Sequence, residues 1–166
     1  MKFMALLPAA ALALLSAPAL AAPPSAAERT MIATVDAEQA RTLALLERAV
    51  NQNSGTRNLA GVRAVHDIFA PEFAALGFTV RWVPQDAVGR AGHLIATHKG
   101  KPGTKRLLLI GHLDTVFEPD SSFLKFERVD PGHARGPGVA DDKGGDVTMI
   151  AALRDRKSTR LNSSHQ

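Results

Sequence analysis

The chain has 166 residues, no cysteine and a formal net charge of +4, from 20 Lys and Arg against 16 Asp and Glu. Disulfides, thiolate zinc sites and cysteine nucleophiles are therefore excluded. Without the two unusual ends described below, residues 22–154 hold 16 basic and 15 acidic residues, so the overall charge gives no argument for a nucleic-acid partner or an anionic membrane. This middle part is long enough for one domain with a hydrophobic core.

Residues 1–21 are typical of a secretory signal peptide. A short basic start is followed by an apolar run rich in Ala and Leu, and Ala19-Leu20-Ala21 supplies the small residues that signal peptidase requires. The alternative is a membrane anchor, but prolines at 18, 23 and 24 interrupt the helix where a span would continue. We predict a periplasmic or secreted protein with no stable membrane insertion once the signal is cleaved.

Residues 155–166 differ in character from the rest of the chain. This segment has one apolar residue, Leu161, and it follows a helical pattern without a capping residue. Its sequence resembles the translated read-through of a common sequencing adapter, in which case Arg154 shares a codon with the adapter. We predict a non-native tail, and a natural protein that continues beyond Leu153. A disordered natural tail is the alternative.

Two helices are predicted in the first half of the domain, which we place at residues 34–154. A Pro- and Ala-rich linker, 22–33, precedes the first helix, Thr34–Val50, whose apolar residues follow helical spacing. The second helix, Asn58–Leu76, ends at Gly77, a natural terminator, and Pro71 is expected to kink it.

Strands are predicted next. Phe78–Val83 and His93–His98 have strand composition, and Phe126–Val129 is a candidate short strand. Leu107–Ile110 is apolar at every position, which predicts an interior strand covered on both faces. A further helix begins over Val147–Leu153. The order of elements predicts an α/β fold in which a mixed β-sheet is layered with helices.

The first chemically informative segment follows the predicted interior strand. His112 and Asp114 stand two residues apart, so in an extended chain their side chains point the same way. A metal-binding imidazole usually donates its other N–H to a carboxylate, and open α/β sheets place ligand sites at this edge. Taken alone, the motif is better explained by a His and an Asp that hydrogen-bond within a loop.

The second informative segment, 135–146, surrounds an acidic pair with glycines. Asp142 is placed to cap the helix that follows, which leaves Asp141 free to point into a site. A capped helix start behind a flexible loop is one alternative. A phosphate-binding loop is the other, but neither phosphate-loop motif is satisfied and the acidic pair would repel phosphate.

Together the two segments resemble the co-catalytic di-zinc exopeptidases, a family that includes glutamate carboxypeptidase, aminoacylase, acetylornithine deacetylase and succinyl-diaminopimelate desuccinylase. The resemblance rests on His112-Leu113-Asp114 followed by Gly136-Pro137-Gly138-Val139-Ala140-Asp141-Asp142-Lys143-Gly144-Gly145. It is supported by the Ser54-Gly55-Thr56 loop and extends from about Ala33 to Leu153. Bacterial exported glutamate carboxypeptidase is the member that the sequence resembles most.

The resemblance implies a role for three residues. His112 matches a ligand of one zinc, Asp114 the carboxylate that orients this histidine, and Asp141 the aspartate that bridges both metals. The peptide bond after the bridging aspartate is often cis in the family. Lys143 matches the motif but receives no chemical role from the sequence.

The family's ligand set is incomplete in this sequence. Each zinc takes about four ligands, and His112 and Asp141 leave roughly three protein ligands unassigned. The other histidines are predicted not to be ligands: His66, His93, His98 and His133. The family's Glu-Glu pair, which gives the general base and a ligand, has no match here, and its lid and dimerisation domain is also missing.

The resemblance implies a zinc-dependent metallopeptidase that releases a C-terminal amino acid, glutamate first, by means of two zinc ions and a water; Co²⁺ or Mn²⁺ are alternatives to zinc. The expected substrates are peptides or N-acyl amino acids, and the family's dimerisation domain makes the whole protein a candidate homodimer. The present chain is expected to be inactive alone. The alternatives are an N-acyl-amino-acid deacylase or deacetylase, and a secreted metal- or partner-binding domain without turnover.

Overall fold

The computed structural model describes residues 22–163, with side chains described through Arg156. The predicted signal peptide, 1–21, lies outside the described residues. Three α-helices, two β-hairpins and one short 3-10 turn make up the described part. The elements are α1 (Ala26–Asn51), α2 (Leu59–Ala75), β1 (Thr79–Gln85), β2 (Arg90–Thr97), β3 (Glu127–Asp130), β4 (His133–Arg135) and α3 (Lys143–Ser163), and the 3-10 turn is Asp86–Val88.

Helix α1 begins earlier than the apolar spacing predicts. Ser25 forms a capping box with Glu28, in which the serine hydroxyl accepts the Glu28 N–H and the glutamate accepts the Ser25 N–H. This arrangement satisfies main-chain donors that a helix start otherwise leaves open. The predicted linker, 22–33, is therefore helical from Ala26 onward, because the cap compensates for a first turn that buries little apolar surface.

Helix α2 ends as its sequence predicts. Asn58 caps its start by accepting the Gly61 N–H. At its other end, the Gly77 N–H donates to the Ala74 carbonyl and the Phe78 N–H to the Phe73 carbonyl, the pattern of a Schellman motif. Gly77 has φ +88°, a conformation that glycine adopts without steric cost.

The strands form two separate antiparallel pairs, β1 with β2 and β3 with β4. In the first pair Trp82 lies opposite Leu94, and the register shifts at Pro84. The predicted strands 78–83, 93–98 and 126–129 are confirmed with small changes at their ends, whereas β4 was not predicted. The α/β fold class is confirmed, and the strands of the described part form two small antiparallel sheets.

The prediction for Leu107–Ile110 is wrong. No strand within the described residues pairs with this segment, and its four side chains are between 54 and 89% exposed. An all-apolar strand is buried only where neighbouring strands flank it and helices cover both faces. The described part of the chain provides neither, so the segment has no regular secondary structure and is open to solvent.

The core lies where the three helices meet. Its fully or nearly buried members come from α1, α2 and α3, and the β1–β2 hairpin packs against one side. They are Leu45, Ala49, Val65, Phe69, Phe73, Val147 and Ile150. This packing sets the C-terminal end of α1 against the start of α3, which positions the two sequence motifs.

Helix α3 continues through the backbone of residues that the sequence assigns to a non-native tail. Arg154, 7% exposed, donates to Glu72 of α2 at 2.5 Å and lies 3.7 Å from Glu38 of α1. This residue therefore connects all three helices. None of the described helices is both long and apolar enough to cross a bilayer.

Candidate metal centre

His112 follows Leu107–Ile110 in a segment without regular secondary structure, and its side chain is about half exposed. Its Nδ1 is 3.0 Å from the main-chain oxygen of Asp114 and 3.4 Å from the Asp114 carboxylate. The closer partner of Nδ1 is thus the main-chain carbonyl of Asp114, whose carboxylate the sequence nominates for orienting the ring. With either acceptor, the proton of a neutral imidazole lies on Nδ1. Nε2 is then the nitrogen available to a metal ion.

Asp141 meets the other side of the same ring. Its Oδ1 lies 2.8 Å from His112 Nε2, although the two residues are 29 positions apart in the sequence. The Asp141 side chain is 86% exposed, and the Asp141–Asp142 peptide bond is cis, as the resemblance implies. The structure therefore brings together the imidazole and the carboxylate that the sequence nominates as metal ligands.

The charges around His112 favour its protonated form. Burial lowers the pKa of the imidazole, but the hydrogen bond to Asp141, the Asp114 carbonyl and the two negative charges outweigh burial and raise the pKa overall. A proton on Nε2 occupies the position that a metal ion would take. Because a histidine must be deprotonated to ligate, metal and proton compete for this nitrogen.

The Asp114 carboxylate has a partner that the sequence did not predict. The Thr56 hydroxyl donates to Asp114 Oδ2 at 2.5 Å from the loop between α1 and α2. The only sequence signal for this contact is that Thr56 belongs to the Ser54-Gly55-Thr56 loop, whose spacing says nothing about its partner.

Main-chain hydrogen bonds fasten this loop to the chain after His112. The Thr115 N–H donates to the Ser54 carbonyl at 2.9 Å, and the Thr56 N–H donates to the Thr115 carbonyl at 3.0 Å. The Asn53 amide donates to the Phe117 carbonyl at 2.8 Å. These bonds hold the backbone of the loop in place, and so they position the Thr56 hydroxyl relative to Asp114.

Lys143 fastens the second motif to the same end of α1. The ammonium is fully buried and donates to the carbonyls of Ala49 and Gln52, each at 2.8 Å. Burial lowers its pKa to about 8, and the Asp146 charge opposes that shift. A cation at the C-terminal end of a helix is favoured by the helix dipole and by carbonyls that lack partners within the helix. Lys143 therefore has a structural role that its sequence position did not reveal.

Asp146 is a buried carboxylate beneath the His112 segment. It is 7% exposed, and its Oδ2 has no hydrogen-bond partner within the described residues. Burial and the charge of Asp142 raise its pKa to about 7, while His112 and Lys143 act in the opposite direction. A side chain at position 111 would collide with this carboxylate, which explains the glycine before the histidine.

A cavity of about 640 Å³ opens beside the site. Apolar side chains of α2, β2, α3 and the Leu107–Ile110 segment line much of it, and His112, Asp114 and Asp146 are among its polar lining residues. An apolar cavity with a few convergent polar groups is the usual form of a ligand-binding site.

The other histidines of the described part lie away from the imidazole–carboxylate pair. His66 is buried edge-on against Trp82, His98 stacks against Phe78, and His133 pairs with Asp130. His93 is exposed on β2, on the wall of the cavity. Within the described residues, no three His, Cys, Asp or Glu side chains lie close enough to hold one ion.

A histidine and an aspartate thus converge from separate loops beside the cavity, and both residue types are common zinc ligands. Residues 108–165 match Peptidase family M20/M25/M40. The chain is also 34% identical over 117 residues to carboxypeptidase G2 of Pseudomonas sp. (strain RS-16), a stretch that covers 70% of this chain and 28% of that protein.

The chain belongs to the M20/M25/M40 peptidase family, and the resemblance inferred from its two motifs is confirmed. It spans less than a third of the length of the carboxypeptidase that it matches.

Replacement of the buried ammonium tests the connection between α1 and α3. We expect Lys143→Met to lower the free energy of unfolding by about 1–3 kcal/mol, because two buried carbonyls lose their donor while the apolar side chain fills the space. Urea denaturation followed by circular dichroism measures the change. Lys101→Met, at an exposed turn position, is the control, and equal stability of the two variants would contradict the role of Lys143.

Asp146 makes stability depend on pH. Its pKa in the folded chain, about 7, is above the ordinary value of 3.8. The folded state therefore binds the proton more tightly, and stability falls as pH rises from about 4 to about 7. We expect Asp146→Asn to be more stable than the unchanged chain, by a margin that grows from about pH 4 to about pH 7, at about 1.4 kcal/mol per pH unit at most, and then levels off.

Urea denaturation at several pH values, in the presence of a chelator, measures this margin. Asp120→Asn, which removes an exposed carboxylate, is the control and should show no such trend. A margin for Asp146→Asn that stays constant across this range would show that the carboxyl titrates normally.

Proposed function

We propose that this chain is part of a zinc-dependent metallohydrolase that cleaves an amide bond, and that the enzyme is a carboxypeptidase that releases C-terminal glutamate or a similar amino acid. One observation carries the proposal: His112 Nε2 and Asp141 Oδ1 converge to 2.8 Å from two separate motifs. Membership of a peptidase family supports the reaction class.

The donor chemistry at this point fits zinc. Imidazole nitrogen and carboxylate oxygen are both common zinc ligands, and a carboxylate has a second oxygen with which to reach a second ion. The high exposure of Asp141 leaves that second oxygen accessible. His112 and Asp141 would hold the metal, and bound zinc would acidify a water and polarise the scissile carbonyl.

The chain's own residues have distinct tasks in this scheme. Asp114 holds the His112 ring through Nδ1, so that Nε2 faces Asp141. Lys143 holds the loop that carries Asp141. With two protein ligands in place and no general base assigned among the described residues, we propose that the 166-residue chain alone does not turn over peptide.

The proposals on substrate and cellular location rest on the amino-acid sequence and its likeness to a carboxypeptidase. The likeness to carboxypeptidase G2 supports a carboxypeptidase over an N-acyl-amino-acid deacylase or deacetylase of the same family. Cobalt or manganese would suit the same ligands. We further propose export to the periplasm or the medium, Asp141 as a bridge between two ions, a homodimer for the whole enzyme, and residues 155–166 as a non-native tail.

Substitution of the two ligands tests the metal site. In the protein encoded by the complete gene, we expect His112→Ala and Asp141→Ala each to lower kcat/KM at least 100-fold and to weaken zinc binding, because each removes a ligand. Hydrolysis of a peptide with C-terminal glutamate measures the former, and competition with a chromophoric chelator the latter. His133→Ala, which removes an exposed histidine outside the site, is the control. Full activity of either ligand variant would mean that the metal lies elsewhere.

The gene itself tests whether the ligand set is completed further along the chain. We expect genomic DNA beyond the codon of Leu153 to continue in frame and to encode a Glu-Glu pair, which would supply the missing base and a ligand. A stop codon at that point, with no such pair, would favour the non-catalytic binding domain.

A further inference from the structure

We propose that Thr56 is a positioning residue of the metal centre: its hydroxyl holds the Asp114 carboxylate against His112, and thereby sets zinc affinity. The inference rests on the proposed function, since it concerns the same site. It starts from the contact between Thr56 Oγ1 and Asp114 Oδ2 at 2.5 Å, a distance typical of a hydroxyl that donates to a charged carboxylate.

The two oxygens of Asp114 face different partners. Oδ2 accepts the Thr56 hydroxyl, and Oδ1 lies 3.4 Å from His112 Nδ1. Since the Asp114 side chain is about one-third exposed, a carboxylate without Thr56 is free to turn toward solvent. The hydroxyl therefore fixes which oxygen places its negative charge near the ring, whose Nδ1 lies closer to the Asp114 carbonyl, at 3.0 Å.

Thr56 is itself held from both sides. Its N–H donates to the Thr115 carbonyl, and Gly55 forms a parallel bridge with Thr115. A side chain at Gly55 would collide with Glu118, so the loop lies directly against the segment after Asp114. A β-branched side chain on a fixed backbone has few rotamers, which suits a hydroxyl that must stay in one place.

A purely structural hydroxyl is the competing explanation. Thr56 Oγ1 also lies 3.2 Å from the Thr115 carbonyl, but a hydroxyl has one proton and the contact to the carboxylate is shorter. A structural hydroxyl would affect stability alone. A positioning hydroxyl would also affect zinc affinity, because groups that orient a ligand typically change metal affinity 10–100-fold.

Zinc affinity of the protein encoded by the complete gene is therefore the decisive measurement, by competition with a chromophoric chelator, with unfolding followed by circular dichroism. We expect Thr56→Ala to weaken zinc binding about tenfold and Thr56→Ser, which restores the hydroxyl, to stay within about twofold of the unchanged chain. Thr34→Ala removes a threonine hydroxyl that bonds only within α1 and should leave affinity unchanged.

A double substitution gives a second, independent readout. If Thr56 acts through the Asp114 carboxylate, Thr56→Ala adds no further loss of affinity to that of Asp114→Asn. Equal affinities of the serine and alanine variants would overturn the proposal, as would full additivity with Asp114→Asn. If Thr56→Ala unfolds, Thr56→Val takes its place, because it keeps the shape of threonine without the hydroxyl.

His112→Ala separates this proposal from the one on which it rests. If His112→Ala weakens zinc binding and Thr56→Ala does not, only the role of Thr56 is wrong. If His112→Ala binds zinc as tightly as the unchanged protein, or if the complete protein binds none, the metal-site assignment fails and the role of Thr56 fails with it.

Discussion

The C-terminal end of α1 and the loop after it are the common support of both motifs. The Lys143 ammonium connects the Asp141 loop to the carbonyls of Ala49 and Gln52, and main-chain bonds from Ser54 and Thr56 connect the same region to the chain after His112. Neither motif is rigid alone, since both lie in loops. Their convergence follows from attachment to one helix end, which the three-helix core places at the start of α3.

Local rules predicted much of the fold. Asn58 and Gly77 mark the ends of α2 because capping and left-handed glycine chemistry depend on neighbouring residues only. The prediction for Leu107–Ile110 was wrong because burial of a strand depends on neighbouring strands. A run of apolar residues does not show whether such strands are present. The start of α1 was missed because a hydrophobic pattern contains no information about the Ser25 cap.

The candidate site was likewise predicted only in part from the sequence. His112 and Asp141 were nominated from motif spacing, and they meet in the structure. Thr56 and Lys143 act across separations of 58 and about 90 residues, and no local signal connects a threonine to Asp114 or a lysine to the end of α1. Asp146 was likewise missed, since a helical aspartate in the first turn is ordinarily a solvated, favourable charge.

The exposed apolar segment before His112, Leu107–Ile110, affects how the molecule behaves in solution. Four consecutive exposed apolar side chains, without a paired strand in the described part of the chain, form a surface for association with a second molecule. Such self-association would cover the approach to the imidazole that follows directly. Dilute samples and light scattering are therefore as important to metal titrations of this chain as the choice of buffer.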